Sequence, residues 1–335
     1  MHTGADRKVY LDYAAGAPVL PEVMAAMVPY LKDVYGNPQS IHAWGDAARE
    51  AIENARERVA ALINASNPEE IIFTASGSEA NNLAIKGLAQ AQASAGKHII
   101  VSAIEHFSVL NAARTLEKAG FQLTQVPVDK HGFIDPEEVA RNIRKDTILV
   151  SIMHANGEVG TIQCIAEIAR KVKDAGVLFH TDAVASTGSI PVDVKSLGVD
   201  ALSLAGNQFY GPKGSGAFWV RKGVRLIPLI DGGVQEGGRR SGTEDVPAIV
   251  GMGKAAELAK KDMTSRMGKL SWLRDKLING VMTRVDRSVL SGHPIQRLPH
   301  HASFCIEFIE GEAMLMLLNL NGIAVSSGSA CTSRA

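Results

Sequence analysis

Net charge is absent from this chain: 35 Lys and Arg oppose 35 Asp and Glu, so no global field draws it to nucleic acid or to an anionic membrane surface. Cysteine is scarce. Cys164, Cys305 and Cys331 are odd in number and form no CxxC pair, which argues against a disulfide framework or a zinc site and leaves a reactive thiol as their one special role. No apolar run approaches the roughly 18 residues that a membrane span needs. The opening MHTGADRKVYLDY also lacks the basic-then-apolar order of a signal peptide. A cytoplasmic protein with a small-molecule or protein partner is expected. The GxGxxG and Walker patterns are missing from the junction after Thr74, so nucleotide binding has little support.

What is present is 46% hydrophobic residues in a chain of 335, enough for one large domain and a smaller one. Helices are expected at 21–35, with Pro21 in the first turn, and at 46–63. Strand-like runs at 70–74, 98–102, 121–126, 147–153, 177–181 and 201–204 alternate with helical stretches opening near Glu79, Ser108, Asp135 and Ile165. That rhythm implies a mostly parallel sheet covered on both faces. After Pro247 the pattern becomes a long helical segment over 249–285, expected to break near 263–267. A strand at 302–308, a helix at 311–320 and a strand at 322–326 follow, as the start of a smaller α+β domain.

The stretch best suited to hold a ligand is 201–216, where an apolar strand enters a loop carrying Gly206, Gly211, Pro212, Gly214 and Gly216. Asp182 ends the preceding strand. Ligands of open α/β sheets sit beyond the carboxyl ends of strands, so the two ends are expected to face one pocket. Asp182 itself reads as a turn residue or as a carboxylate kept for a ligand cation. The run Thr74-Ala75-Ser76-Gly77-Ser78-Glu79 opens a helix, which suits a phosphate and equally an ordinary start capped by Ser76 or Ser78. His106 reads as a helix-start residue or as a flat ring stacked on a ligand. His154, His293, His300 and His301 show no ligand spacing and read as structural or exposed. Cys164 beside Ile162 and Ile165, and Cys305 alternating with aliphatic neighbours, read as core cysteines. Cys331, in the small polar run from Ser326 to Ser333, reads as a mobile nucleophile.

A set of motifs now falls into order. Tyr10-Leu11-Asp12-Tyr13-Ala14, Gly36-Asn37-Pro38 with His42, Ser76-Gly77-Ser78-Glu79-Ala80-Asn81-Asn82 and Glu105-His106 come first. His154-Ala155-Asn156 with Glu158-Val159-Gly160, His180-Thr181-Asp182-Ala183, Phe209-Tyr210-Gly211-Pro212-Lys213-Gly214, Arg240-Ser241-Gly242-Thr243 and the Cys331 loop follow. Across nearly the whole chain this series resembles the cysteine desulfurases of the NifS/IscS type, class V members of the pyridoxal phosphate (PLP) fold-type I enzymes. The resemblance implies an α/β large domain over 15–255 with a mostly parallel, seven-stranded sheet. It implies a smaller α+β domain built from 1–14 and 256–335, with its C-terminal part lying beyond this sequence. It also implies roles. Gly77, Ser78 and Asn207 would lie at the cofactor, with Gly77 and Ser78 on its phosphate, and Thr243 would reach the phosphate of the neighbouring subunit in a homodimer. His106 would stack on the pyridine ring, and Asp182 would pair with the protonated ring nitrogen and keep the ring an electron sink. Cys331 would attack the sulfur of L-cysteine and pass it, as a persulfide, to an acceptor such as an iron–sulfur scaffold protein of the IscU type. Neither nucleic acid, membrane nor a firm metal site is implied.

The sequence departs from the family at the cofactor. Asn207-Gln208 stands where the family has His-Lys, the lysine that forms the Schiff base and moves the Cα proton. A glutamine amide is neither a nucleophile toward an aldehyde nor a base. Lys213, five residues on, is a weak candidate to replace it, because the family carries that GPKG lysine in addition. Gly157, Ala185 and Ala205 stand where the family has Asn, Gln and Ser, and the arginine that clamps the substrate carboxylate comes after the point where this sequence stops. Two functions follow. One is a desulfurase turning L-cysteine into L-alanine through Cys331, with PLP held noncovalently. The alternative is a catalytically lapsed homologue that serves iron–sulfur assembly as a partner-binding scaffold, with Cys331 receiving sulfur or ligating a transient cluster shared with that partner. A selenocysteine lyase is a weaker third reading, because the Cys331 loop suits sulfur relay.

Overall fold

The computed structural model describes residues 8–328. The first half of the chain forms β1 (Val9–Tyr10), α1 (Pro21–Lys32), α2 (Ala43–Leu62), β2 (Ile71–Thr74), α3 (Gly77–Asn82), α4 (Leu88–Ala91), β3 (His98–Ser102), α5 (Phe107–Lys118), β4 (Gln122–Val126), α6 (Pro136–Asn142) and β5 (Thr147–Ser151). The second half forms α7 (Ile165–Asp174), β6 (Leu178–Asp182), α8 (Val194–Leu197), β7 (Ala201–Ala205), β8 (Gly216–Val220), α9 (Gln235–Gly238), α10 (Val246–Arg284), β9 (Ser288–Leu290), β10 (Phe304–Ile306), α11 (Gly311–Leu320) and β11 (Ile323–Ala324). A π turn over Leu83–Gly87 joins α3 to α4.

Seven strands lie in the order β2-β8-β7-β6-β5-β3-β4. The run from β7 through β6, β5 and β3 to β4 is parallel, and β8 is antiparallel to both its neighbours. Side chains alternate along each strand between two apolar layers. Phe73, Ile100, Val150, Phe179, Leu202 and Trp219 pack toward α1, α2, α7 and α10, whereas Ile72, Ile99, Val101, Leu149, Ala201 and Phe218 pack toward α3, α4 and α5. Both faces of the sheet are therefore covered, as the strand–helix rhythm of the sequence implies. The parallel arrangement also gathers the ends of β3, β5, β6 and β7 on one edge, and the loops bearing His106, His154, Asp182 and Gln208 leave from there.

Several expectations need correction. Helix α10 runs unbroken for 39 residues, because Met263-Thr264-Ser265-Arg266-Met267 holds neither proline nor glycine and a helix needs one of these, or an inserted group, to kink. Helix α2 begins three residues early, since His42 caps it by accepting the Gly45 N–H on Nδ1 at 3.2 Å. Helix α1 stops at Lys32. Strand β8 was not anticipated, its opening Gly216 reading as loop; it makes the sheet mixed at the β2 edge. The strands expected at 302–308 and 322–326 shrink to three and two residues. Cys305 is exposed rather than core, because β9 and β10 form a two-stranded ribbon and alternation turns Cys305 to its open side. Cys164 is half-buried, and burial pushes its thiol up to about 11.

Candidate active site

The start of α3 is built from its own sequence. Ser76 is the cap: its Oγ accepts the Glu79 N–H at 3.1 Å, while Glu79 Oε2 accepts the Ala75 N–H at 2.8 Å. Arg240 holds the other Glu79 oxygen at 2.8 Å, tying the Arg240-Ser241-Gly242-Thr243 motif to this helix. The N–H groups of Gly77 and Ser78 remain the open donors of the first turn. Glycine at 77 is required by space, since a Cβ there would stand 2.6 Å from Val184 Cγ2 and 3.3 Å from Ala205 Cβ. The loop after β6 and the last residue of β7 therefore meet at this helix start. Gly216 plays the matching part on β8, where a Cβ would lie 2.5 Å from the Ser76 carbonyl carbon.

Asp182 closes β6, opposite Ser203 of β7. It is 5% exposed, and its oxygens take the Val184 N–H at 2.9 Å and Asn81 Nδ2 at 2.6 Å. Burial pushes this carboxyl above its ordinary range, against the pull of the Val184 N–H, His106 and Asn81. Asn81 Nδ2 also reaches Ser108 Oγ at 2.9 Å, and Ser108 Oγ reaches His106 Nδ1 at 2.7 Å. His106 caps α5 by accepting the Ser108 N–H on that same nitrogen. The structure thus joins His106 to Asp182 through two residues to which the sequence reading gave no role. Their signal was weak: Asn81 is 1% exposed, and an amide on a buried helix face needs a partner.

Beside this chain lies Glu105, whose Oε1 takes the Ser102 hydroxyl at 2.6 Å and the Met153 N–H at 2.8 Å. Its other oxygen is buried without a partner, and burial pushes the carboxyl up to about 8. Glu105 pins the end of β3 to the segment after β5, and so fixes the loop that carries His106. His154 meets Ser186 Oγ at 2.9 Å, and burial lowers it to about 4. His301 meets the Gly157 carbonyl at 2.9 Å, and His293 takes the N–H groups of Ile295 and Gln296. These histidines hold loops together.

Asn207 and Gln208 occupy a 3-10 turn, Gly206–Gln208, directly after β7. Gln208 Nε2 donates to the Ala14 carbonyl at 3.2 Å. Among the described residues Thr243 stands exposed ahead of α10, with no hydrogen bond to the other candidates. Cys331 lies outside the described residues. A separate cavity of about 630 Å³, bordered by Arg49, Arg56, Lys222, Arg239 and Glu236, touches none of the candidate residues.

Asp182 also tests whether the site fits PLP. A carboxylate this deeply buried normally has a cationic partner, yet no Lys or Arg pairs with it among the described residues. A protonated ring nitrogen would meet that need. The open N–H pair at Gly77 and Ser78 suits the phosphate, and His106 suits the ring. The covalent anchor does not fit, because Gln208 carries an amide where an amine is required. The residues present therefore fit PLP as a noncovalent guest.

Comparison with known proteins places the chain's family and fold. The family model described as aminotransferase class-V matches residues 9–335. The cysteine desulfurase IscS of Dictyoglomus turgidum is 51% identical over 327 residues, covering 98% of this chain and 83% of the relative. The cysteine desulfurase IscS 1 of Archaeoglobus fulgidus is 49% identical over 325 residues, with 97% and 84% covered. Among solved structures, a NifS-like protein superposes with a TM-score of 0.92 at 38% identity, covering 96% of this chain and 87% of that one. A structure described as SspA in complex with cysteine gives 0.83 at 36% identity, with 98% and 91% covered.

Proposed function

Because the chain belongs to the class-V aminotransferase family, in its cysteine desulfurase branch, we propose that it mobilises sulfur from L-cysteine. The observation that carries this is the buried Asp182 carboxylate, which among the described residues pairs with no Lys or Arg and is bonded through Asn81 and Ser108 to His106. The family is PLP-dependent, and bound PLP supplies an electron sink for charge developing at the substrate Cα. Asp182 would hold the proton of the ring nitrogen, the N–H groups of Gly77 and Ser78 would bind the phosphate, and His106 would cover the ring. Thr243 would reach the neighbouring subunit's site in a homodimer. Gln208 can orient by hydrogen bonding but moves no proton. Cys331 takes the sulfur: the substrate C–S bond breaks, a disulfur bond forms on the thiol, and cysteine leaves as alanine, so that one thiol and one cysteine give one persulfide and one alanine. An iron–sulfur scaffold protein would then accept that sulfur.

The naming of the relatives as desulfurases favours this reading over a scaffold without turnover. Residues 15–255 form the large domain in this proposal, and the pairing of β1 with β11 supports a small domain that combines both ends of the chain. No helix among the described residues is long and apolar enough to cross a membrane. Incubation of the purified chain with PLP, L-cysteine and a thiol reductant tests the function, and sulfide and alanine are expected in equal amounts. Absence of both, from protein shown by equilibrium dialysis to hold PLP, would overturn it.

A further inference from the structure

The protons around Asp182 can be placed by elimination, and they fix the state of His106. Both Asp182 oxygens accept, one from the Val184 N–H and one from Asn81. As the ionised partner that the ring-nitrogen role requires, Asp182 has no proton to give, so the Asn81 amide turns its nitrogen toward it. The cost of that orientation is visible: Asn81 Oδ1 is buried without a partner. The same Nδ2 stands 2.9 Å from Ser108 Oγ. It donates there too, so the hydroxyl accepts from Asn81 and directs its own proton to its other neighbour, His106 Nδ1, at 2.7 Å. The Ser108 N–H points at the same nitrogen from 3.1 Å. Facing two donors, Nδ1 keeps its lone pair and the ring proton sits on Nε2.

We propose that Ser108 and Asn81 are positioning residues that lock His106 in the Nε2–H tautomer and tether its ring to Asp182. Ordinary helix capping explains less. A cap accounts for the Ser108 N–H bond alone; it requires neither the hydroxyl nor an amide that leaves its own oxygen unpaired. The lock has a consequence for the chemistry and rests on the reading of His106 as a residue at the cofactor. With Nδ1 engaged by two donors and Nε2 carrying the proton, His106 is a hydrogen-bond donor and offers no free basic lone pair. In the resting site His106 is thus a donor toward the cofactor and not an acceptor of the Cα proton.

Long-range proton–nitrogen correlation spectra of the chain labelled with ¹⁵N-histidine test the lock, with His106 assigned as the ring missing from His106→Gln. The parent is expected to show a pyridine-type Nδ1 and a pyrrole-type Nε2. Ser108→Ala removes one neutral donor and should shift the tautomer ratio about fivefold toward Nδ1–H, and Ser108→Thr, which keeps the hydroxyl, should restore it. A pyrrole-type Nδ1 in the parent overturns the proposal whatever the variants do, as does a folded Ser108→Ala with unmoved nitrogen shifts. No cysteine is present in the measurement, so its outcome is independent of whether the chain releases sulfide.

Discussion

Gln208→Lys should convert a noncovalent PLP site into a covalent one. The turn that carries residue 208 is held by the backbone: Gly206 N–H bonds the Ser215 carbonyl at 3.0 Å, and Gly211 N–H bonds the Gly206 carbonyl at 2.8 Å. A new side chain there will not drag the loop away. The substitution forfeits the 3.2 Å bond from Gln208 Nε2 to the Ala14 carbonyl, a neutral bond at a half-exposed position worth about 0.5–1 kcal/mol. The fold tolerates that. In return the site gains an amine that can capture an aldehyde and serve as a general base, and base catalysis of this kind contributes about 10²- to 10⁴-fold in rate. The assay is borohydride treatment after PLP addition, followed by intact mass and peptide mapping, with sulfide release measured in parallel. The parent chain should acquire no borohydride-stable PLP. The variant should carry one, on residue 208, with turnover raised by two orders of magnitude or more. A folded variant that takes no label would refute the placement of residue 208 at the cofactor, and label on any lysine of the parent would refute the claim that the chain lacks an anchoring amine.

Other outcomes follow from the same geometry. Asp182→Asn removes the charged partner of the ring nitrogen and should weaken PLP binding about 10- to 100-fold by titration; unchanged affinity would remove Asp182 from the site. Gly77→Ala drives a methyl to within 2.6 Å of Val184 Cγ2 and should cost about 1–3 kcal/mol in denaturant unfolding, most of which Val184→Ala should return. Glu236 is buried and grips Arg56 with both oxygens, at 2.7 and 2.9 Å, while also taking the Phe73 N–H, so Glu236→Ala should cost about 3–5 kcal/mol. His180 is buried between Ser151 and Ser203 and lowered by burial to about 3. The unfolded chain binds its proton near pH 6.5 and the folded chain does not, so stability falls on acidification from about 6.5 to 3 with a slope of about 1.4 kcal/mol per pH unit from this group. Urea midpoints for His180→Gln should lack that share of the slope. Glu105 acts in the opposite sense, since its raised value near 8 favours the fold below the ordinary carboxylate range and withdraws that support as pH rises toward 8; Glu105→Gln should flatten the profile between about pH 4.5 and 8.

The two arms of the site were unequally legible. Ser76, Gly77 and Asp182 could be found from the chain because each sits where a strand hands over to a turn or a helix, and residue type at such junctions is constrained by local backbone chemistry; Gln208 stood out only through the family resemblance. Asn81 and Ser108 could not be assigned a role, because the link between them spans 27 positions and Asn81 meets Asp182 across 101. The break expected in α10 failed because the run 263–267 contains neither proline nor glycine, and Met263 still packs against the core that α2 and α10 share. Cys305 misled through its neighbours, because alternation reports which residues share a face and not whether that face is covered.

By itself the amino-acid sequence determined the layered α/β plan and the strand ends at which chemistry gathers, since periodicity and turn chemistry are local properties; the missing amine at position 208 was legible only through the family resemblance. The tertiary structure decided the rest: the antiparallel insertion of β8, the approach of Val184 and Ala205 to Gly77, and the hydrogen-bonded line from Asp182 to His106. Those depend on which distant segments are brought within about 3 Å of one another, and only the packed sheet and its helices set that distance.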